Sequence, residues 1–99
     1  DKESVKAALK LLGVDEKGLN PSDIKLIEVI AEKFKGGPVG LGTIAAALSE
    51  EEATIEEFNE PYLLQLGLIE RTTRGRALTP HAYHRLGKTP PANLQKKLL

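Results

Sequence analysis

Apolar residues in this chain recur mostly at helical spacing, in short blocks separated by glycine and proline. Val5, Ala8, Leu9, Leu11 and Leu12 predict a helix over 3–12, stopped by Gly13. Asp15 to Leu19 reads as a linker turn. Asn20-Pro21-Ser22-Asp23 is a helix start, with a capping Asn, a proline at the first helical position and an acid in the first turn. That helix carries Ile24, Ile27, Val29, Ile30 and Phe34 as its buried stripe and ends at Lys35-Gly36-Gly37-Pro38. Val39-Gly40-Leu41 is long enough only for a bridge of strand. Thr43 is expected to cap a short helix from Ile44 to Leu48, and Glu50 to Glu52 to form a turn. Ala53 or Thr54 opens a longer helix with Ile55, Phe58, Tyr62, Leu63 and Leu66 on one face. Pro61 falls inside it and is expected to remove a hydrogen bond and kink it; Gly67 ends it. Leu68 to Arg71 and Arg76 to Leu78 predict a hairpin. Thr79-Pro80 starts a last short helix with Ala82, Tyr83 and Leu86 apolar. From Lys88 onward the chain reads as a tail with an amphipathic end, Leu94, Leu98 and Leu99.

This order predicts a mainly α fold with one small β-hairpin, a winged helix-turn-helix. Thr43–Leu48 is the first helix of the motif, Thr54–Leu66 takes the recognition position, and the hairpin is the wing.

Composition narrows the class. The chain has 99 residues, 40% of them apolar, enough for one domain with a modest core. Only Phe34, Phe58, Tyr62 and Tyr83 are aromatic, so the core is expected to be aliphatic, with both tyrosines packed in it. The lack of cysteine excludes a disulfide framework and a thiolate metal site and fits the cytoplasm. No apolar run approaches the ~18 residues of a membrane span. The chain opens without Met and in helical character, and is read as a piece of something longer.

Charge is what points to function. Net charge is zero, with fourteen bases and fourteen acids. All fourteen acids lie in residues 1–70, beside seven lysines; residues 71–99 hold seven bases and no acid. Such polarity suggests two surfaces with different partners. The wing reads Arg71-Thr72-Thr73-Arg74-Gly75-Arg76, three guanidinium groups on a short turn. The planar donor fork of arginine suits phosphate oxygens, and glycine allows positive φ and a close backbone approach. Arg71, Thr72, Arg74, Gly75 and Arg76 are therefore the candidate DNA contacts. Arg85 and Lys88 extend the basic surface. The recognition position runs the other way. Glu50, Glu51, Glu52, Glu56, Glu57 and Glu60 carry no Lys or Arg among them, and B-DNA bears one negative charge per ~1.7 Å. Major-groove docking by that helix is disfavoured, and backbone contact without base readout is expected. Glu56, Glu57 and Glu60 are read as a solvated face. His81 and His84 are read as surface residues, since no Asp, Glu or Cys follows Glu70 to complete a metal site. The alternative reading is a protein-interaction winged helix that works through its acidic helix. A transcription regulator is disfavoured by that same helix, and an enzyme by the lack of a nucleophile–base pair.

Four blocks carry a family resemblance: Leu11-Leu12-Gly13-Val14-Asp15, Gly36-Gly37-Pro38-Val39-Gly40-Leu41, Glu60-Pro61-Tyr62-Leu63 and Arg71-Thr72-Thr73-Arg74-Gly75-Arg76. Together they resemble the C-terminal part of the RuvB family, bacterial Holliday-junction branch-migration ATPases, from about residue 5 to residue 87. The resemblance implies three parts: residues 1–19 as the end of an AAA+ lid and its linker, 20–87 as a winged-helix DNA-binding domain, and 88–99 as a C-terminal tail. It implies a cytoplasmic homohexameric parent working on duplex arms of four-way junctions with RuvA and RuvC-type proteins. ATP and Mg would belong to the parent's ATPase core. This chain has no Gly-x-x-x-x-Gly-Lys-Ser/Thr and is expected to need no cofactor and to catalyse nothing by itself. The family's wing usually reads Arg-Thr-Pro-Arg-Gly-Arg; its outer arginines map to Arg71 and Arg76, implied as DNA contacts. Thr73 replaces the proline, which should loosen the turn while keeping every charge. Where some members carry an Arg before Asp-Thr-Ile, this chain has Glu52 before Ala53-Thr54-Ile55.

Overall fold

The structure is a computed structural model that describes residues 18–95. The helix expected over 3–12, most of the linker turn and the last four residues lie outside the described residues. Helix α1 spans Pro21–Lys33 and begins as its sequence predicts. The Asn20 side chain accepts from the Asp23 N–H at 2.8 Å, and Asp23 accepts from the Asn20 N–H at 3.2 Å, a reciprocal capping box. Its buried face is Leu26, Ile27 and Ile30, with Ile24, Val29 and Phe34 packed at the margin. Helix α2 spans Leu41–Leu48 and starts three residues earlier than a cap at Thr43 would place it, with Gly40 at the cap position.

The recognition position is not one α-helix. It consists of α3 (Glu52–Thr54), a π-helical turn (Ile55–Asn59) and α4 (Glu60–Gln65). Pro61 accounts for this. It has no N–H, and its ring would meet the carbonyl four residues back. The chain answers by widening one turn, so that the Glu60 N–H donates to the Ile55 carbonyl, five residues back. An extra residue in that turn rotates everything after it by about 100° relative to an α-helix. The expected apolar face is therefore broken. Ile55 and Leu63 are buried, but Phe58 is 73% exposed and Leu66 37% exposed. Asn59 and Glu60 take the inward positions instead.

Strands β1 (Ile69–Thr72) and β2 (Gly75–Leu78) form an antiparallel hairpin around the two-residue turn Thr73-Arg74. Three of the four boundaries lie one residue from their expected place, and the end at Leu78 is as expected. Val39 bridges to Arg76 on the free edge of β2, the short bridge that Val39-Gly40-Leu41 foreshadowed. Helix α5 (Pro80–Arg85) and the short α6 (Ala92–Gln95) complete the described chain. The core is aliphatic apart from Tyr83, and Leu19 and Leu94 both belong to it. Tyr62 packs at the core's margin. Burial pushes the Tyr83 phenol above its usual range. No helix among the described residues is long and apolar enough to cross a membrane.

Exchange of Phe58 for Ser should change stability by no more than ~0.5 kcal/mol, whereas Leu63→Ala should cost about 2–5 kcal/mol. Urea unfolding of both variants checks the rotated face.

Candidate nucleic-acid interface

The wing is anchored from both sides. On its outer edge, the Arg76 N–H donates to the Val39 carbonyl at 2.7 Å, and the Val39 N–H donates to the Arg76 carbonyl at 2.9 Å. Both backbone groups of Arg76 thus point away from β1. Arg71 and Arg76, which lie opposite in register, are therefore a non-hydrogen-bonded cross-strand pair, the kind with the closer side chains. Like charges placed directly opposite repel.

Glu60 resolves that repulsion. Its side chain is 1% exposed and reaches the wing from the first residue of α4. Arg76 donates through Nε to Oε2 at 2.6 Å and through Nη2 to Oε1 at 3.2 Å, a two-point fork. Arg71 donates through Nη2 to Oε1 at 2.9 Å. The expectation of a solvated Glu60 is thus corrected: the π turn rotates it inward, and the wing supplies its partners. Glu56 and Glu57 are exposed, as expected. Burial pushes the Glu60 carboxyl up, but the hydrogen bonds and charges of Arg76 and Arg71 outweigh it and hold the group below its ordinary value of 4.5. Arg76 is in turn held in its charged form by the hydrogen bond to Glu60, with weaker help from the charges of Glu56 and Glu52.

A second polar network ties the recognition segment to α1. Buried Asn59 donates to Asp23 Oδ1 at 2.8 Å and to Ser22 Oγ at 3.1 Å. The capping box of α1 and the π turn are thereby joined, one residue before Glu60.

The candidate residues do not share one environment. Arg74 is exposed at the turn, and among the described residues its side chain forms no ion pair. Arg71 is half-exposed at 55%, and Arg76 is mostly covered at 20%. The Thr72 hydroxyl works inside the turn, donating to the Gly75 carbonyl at 2.9 Å and accepting from the Arg74 N–H at 3.1 Å. Gly75 begins β2 with φ of 131°, and a Cβ there would run into the Val39 carbonyl. The close approach it permits is to the protein's own backbone. Arg85 lies off the wing, half-buried in α5, where it lines a cleft of about 410 Å³ with Leu66, Leu68, His81 and His84. Lys88 pairs with Glu32 at 3.0 Å. No group of three His, Cys, Asp or Glu able to hold a metal occurs among the described residues. Sequence reasoning missed Glu60. The one signal was its place in the block Glu60-Pro61-Tyr62-Leu63, three residues before a core leucine.

A helix-turn-helix followed by a basic hairpin, with a further strand bridge on its edge, defines a winged-helix domain. Residues 16–87 match the family model of the RuvB C-terminal winged helix domain, and the chain belongs to that family. A curated relative, the RuvB subunit of the Holliday junction branch migration complex of Rubrobacter xylanophilus, is 54% identical over 87 residues, 88% of this chain and 24% of that protein. The Christiangramia forsetii RuvB subunit is 52% identical over 93 residues, covering 94% of this chain and 27% of that protein. The solved Thermotoga maritima RuvB Holliday junction branch migration motor superposes with a TM-score of 0.86 at 42% identity, over 92% of this chain and 30% of that one. The chain spans about a quarter of the length of the curated relatives it matches.

The depressed Glu60 carboxyl gives stability that is present above pH 4.5 and is lost as pH falls through the folded-state value below it. Glu60→Gln should remove that part of the acid dependence. It should also cost about 2 kcal/mol at neutral pH, less than the ~3–5 of a wholly buried pair because Arg71 can turn to water. Urea midpoints measured between neutral and acid pH check both.

Proposed function

We propose that this chain is a DNA-gripping domain of a branch-migration motor, holding the phosphate backbone of duplex or junction arms through its wing without reading sequence. The observation that carries this reading is the wing itself: Arg71, Arg74 and Arg76 on one rigid hairpin, two of them fixed by a buried carboxylate. Family membership supports it, since the relatives are named as Holliday junction branch migration subunits. Arg71 and Arg76 are the principal contacts, Arg74 reaches out from the turn, and Thr72 and Gly75 shape it. Arg85 contributes from α5. In the parent protein, ATP and Mg act in a separate ATPase core, RuvA and RuvC-type proteins meet the junction, and a bacterial cytoplasmic hexamer multiplies the grip.

Electrostatics bound the strength of a single domain. Glu60 cancels one of the three wing charges, which leaves two for phosphate. Each neutralised phosphate contributes about −0.9 to the slope of log K against log salt, so the wing supplies roughly −2. Such a contact is weak alone and becomes effective when repeated around a ring.

Titration of fluorescent duplex and four-way-junction DNA at low and moderate salt tests this. Arg74→Ala should weaken binding similarly on unrelated sequences and reduce the salt slope by about one unit. The Arg71→Ala/Arg76→Ala pair should abolish salt-sensitive binding. Loss that depends on base sequence would overturn the backbone reading.

A further inference from the structure

We infer that Glu60 is a positioning residue for DNA: by holding Arg71 and Arg76 together it aims their remaining N–H donors at phosphate, so this carboxylate strengthens binding to a polyanion. The inference rests on the wing being the DNA contact, and adds to that reading an acid with an effect opposite to its charge.

The geometry separates Glu60 from every other acid nearby. Both its oxygens are occupied by wing guanidinium groups, and it is almost wholly buried, so it presents no free oxygen to an incoming phosphate. The Arg76 fork uses Nε and one N–H of Nη2, which leaves both donors of Nη1 and the second of Nη2. Arg71 spends one donor of Nη2 and keeps the rest. Two like charges opposite each other across the hairpin would otherwise splay apart. Fixing them in advance removes rotamer freedom that binding would have to remove, a cost that falls on each long side chain ordered at an interface. Glu56 is the natural contrast. It is exposed, its charge is felt by Arg76, and no wing arginine hydrogen-bonds to it. Its contribution is plain repulsion of phosphate.

Glu60→Gln and Glu56→Gln therefore make the same change in net charge with opposite outcomes. Duplex DNA titrated with each full chain at two salt concentrations reads them, with circular dichroism to establish that the variants are folded. Glu56→Gln should tighten binding about twofold, as for a surface charge. Glu60→Gln should weaken it roughly tenfold, the loss of preorganisation in two arginines. Tightening by both variants would overturn the inference and leave the wing reading standing. Absence of wild-type binding at low salt would overturn that reading and the inference with it. If Glu60→Gln does not fold, Glu60→Asp decides the matter, because it keeps the charge and shortens the reach to both arginines. Weaker binding at an unchanged salt slope supports positioning, and unchanged affinity overturns it.

Discussion

A carboxylate taken out of water is costly, by several kcal/mol even after relaxation, unless its oxygens are filled by well-placed donors. Glu60 meets that condition through two arginines from a different element, and much of the domain is arranged to let it. The π turn forced by Pro61 brings Glu60 to the inner face. Asn59, bonded to Asp23 and Ser22, fastens that segment to α1. Val39 holds the backbone of Arg76 from the far edge of the hairpin, which leaves its side chain to reach the carboxylate. Loss of either arginine would leave a buried charge short of donors, so the ion cluster and the fold support each other.

The same arrangement reconciles two features that otherwise conflict. An acidic helix beside a basic wing is a poor surface for a polyanion if all its carboxylates face outward. One of them does not: Glu60 is consumed in building the wing. Glu52 and Glu56 remain exposed and act on Arg76 only through their charge. Within the proposed function they keep the recognition segment off the duplex and leave contact to the hairpin. Within that same proposal, the modest surplus charge of one wing suits a contact repeated in several copies, since multivalency supplies the total grip.

Much of this was legible in the residue order because it is local. The helix start at Asn20-Pro21-Ser22-Asp23, the stop at Lys35-Gly36-Gly37-Pro38, the hairpin and the final helix after Thr79-Pro80 all depend on neighbours within a few positions, where backbone propensity and capping chemistry dominate. Phe58 shows where this fails. Helical periodicity places it inward, and only the π turn, set by how the chain accommodates Pro61 against the core, turns it out.

For the site, the sequence by itself determined the basic hairpin, its three arginines and the neighbouring run of acids, because charge and turn chemistry are properties of the residues present. Tertiary structure alone decided which charges meet. Glu60 lies eleven residues from Arg71 and sixteen from Arg76, and their contact follows from α4 packing against β1 and β2. An ion pair at that separation obeys three-dimensional distance and burial, and neither is written in the spacing of residues along the chain.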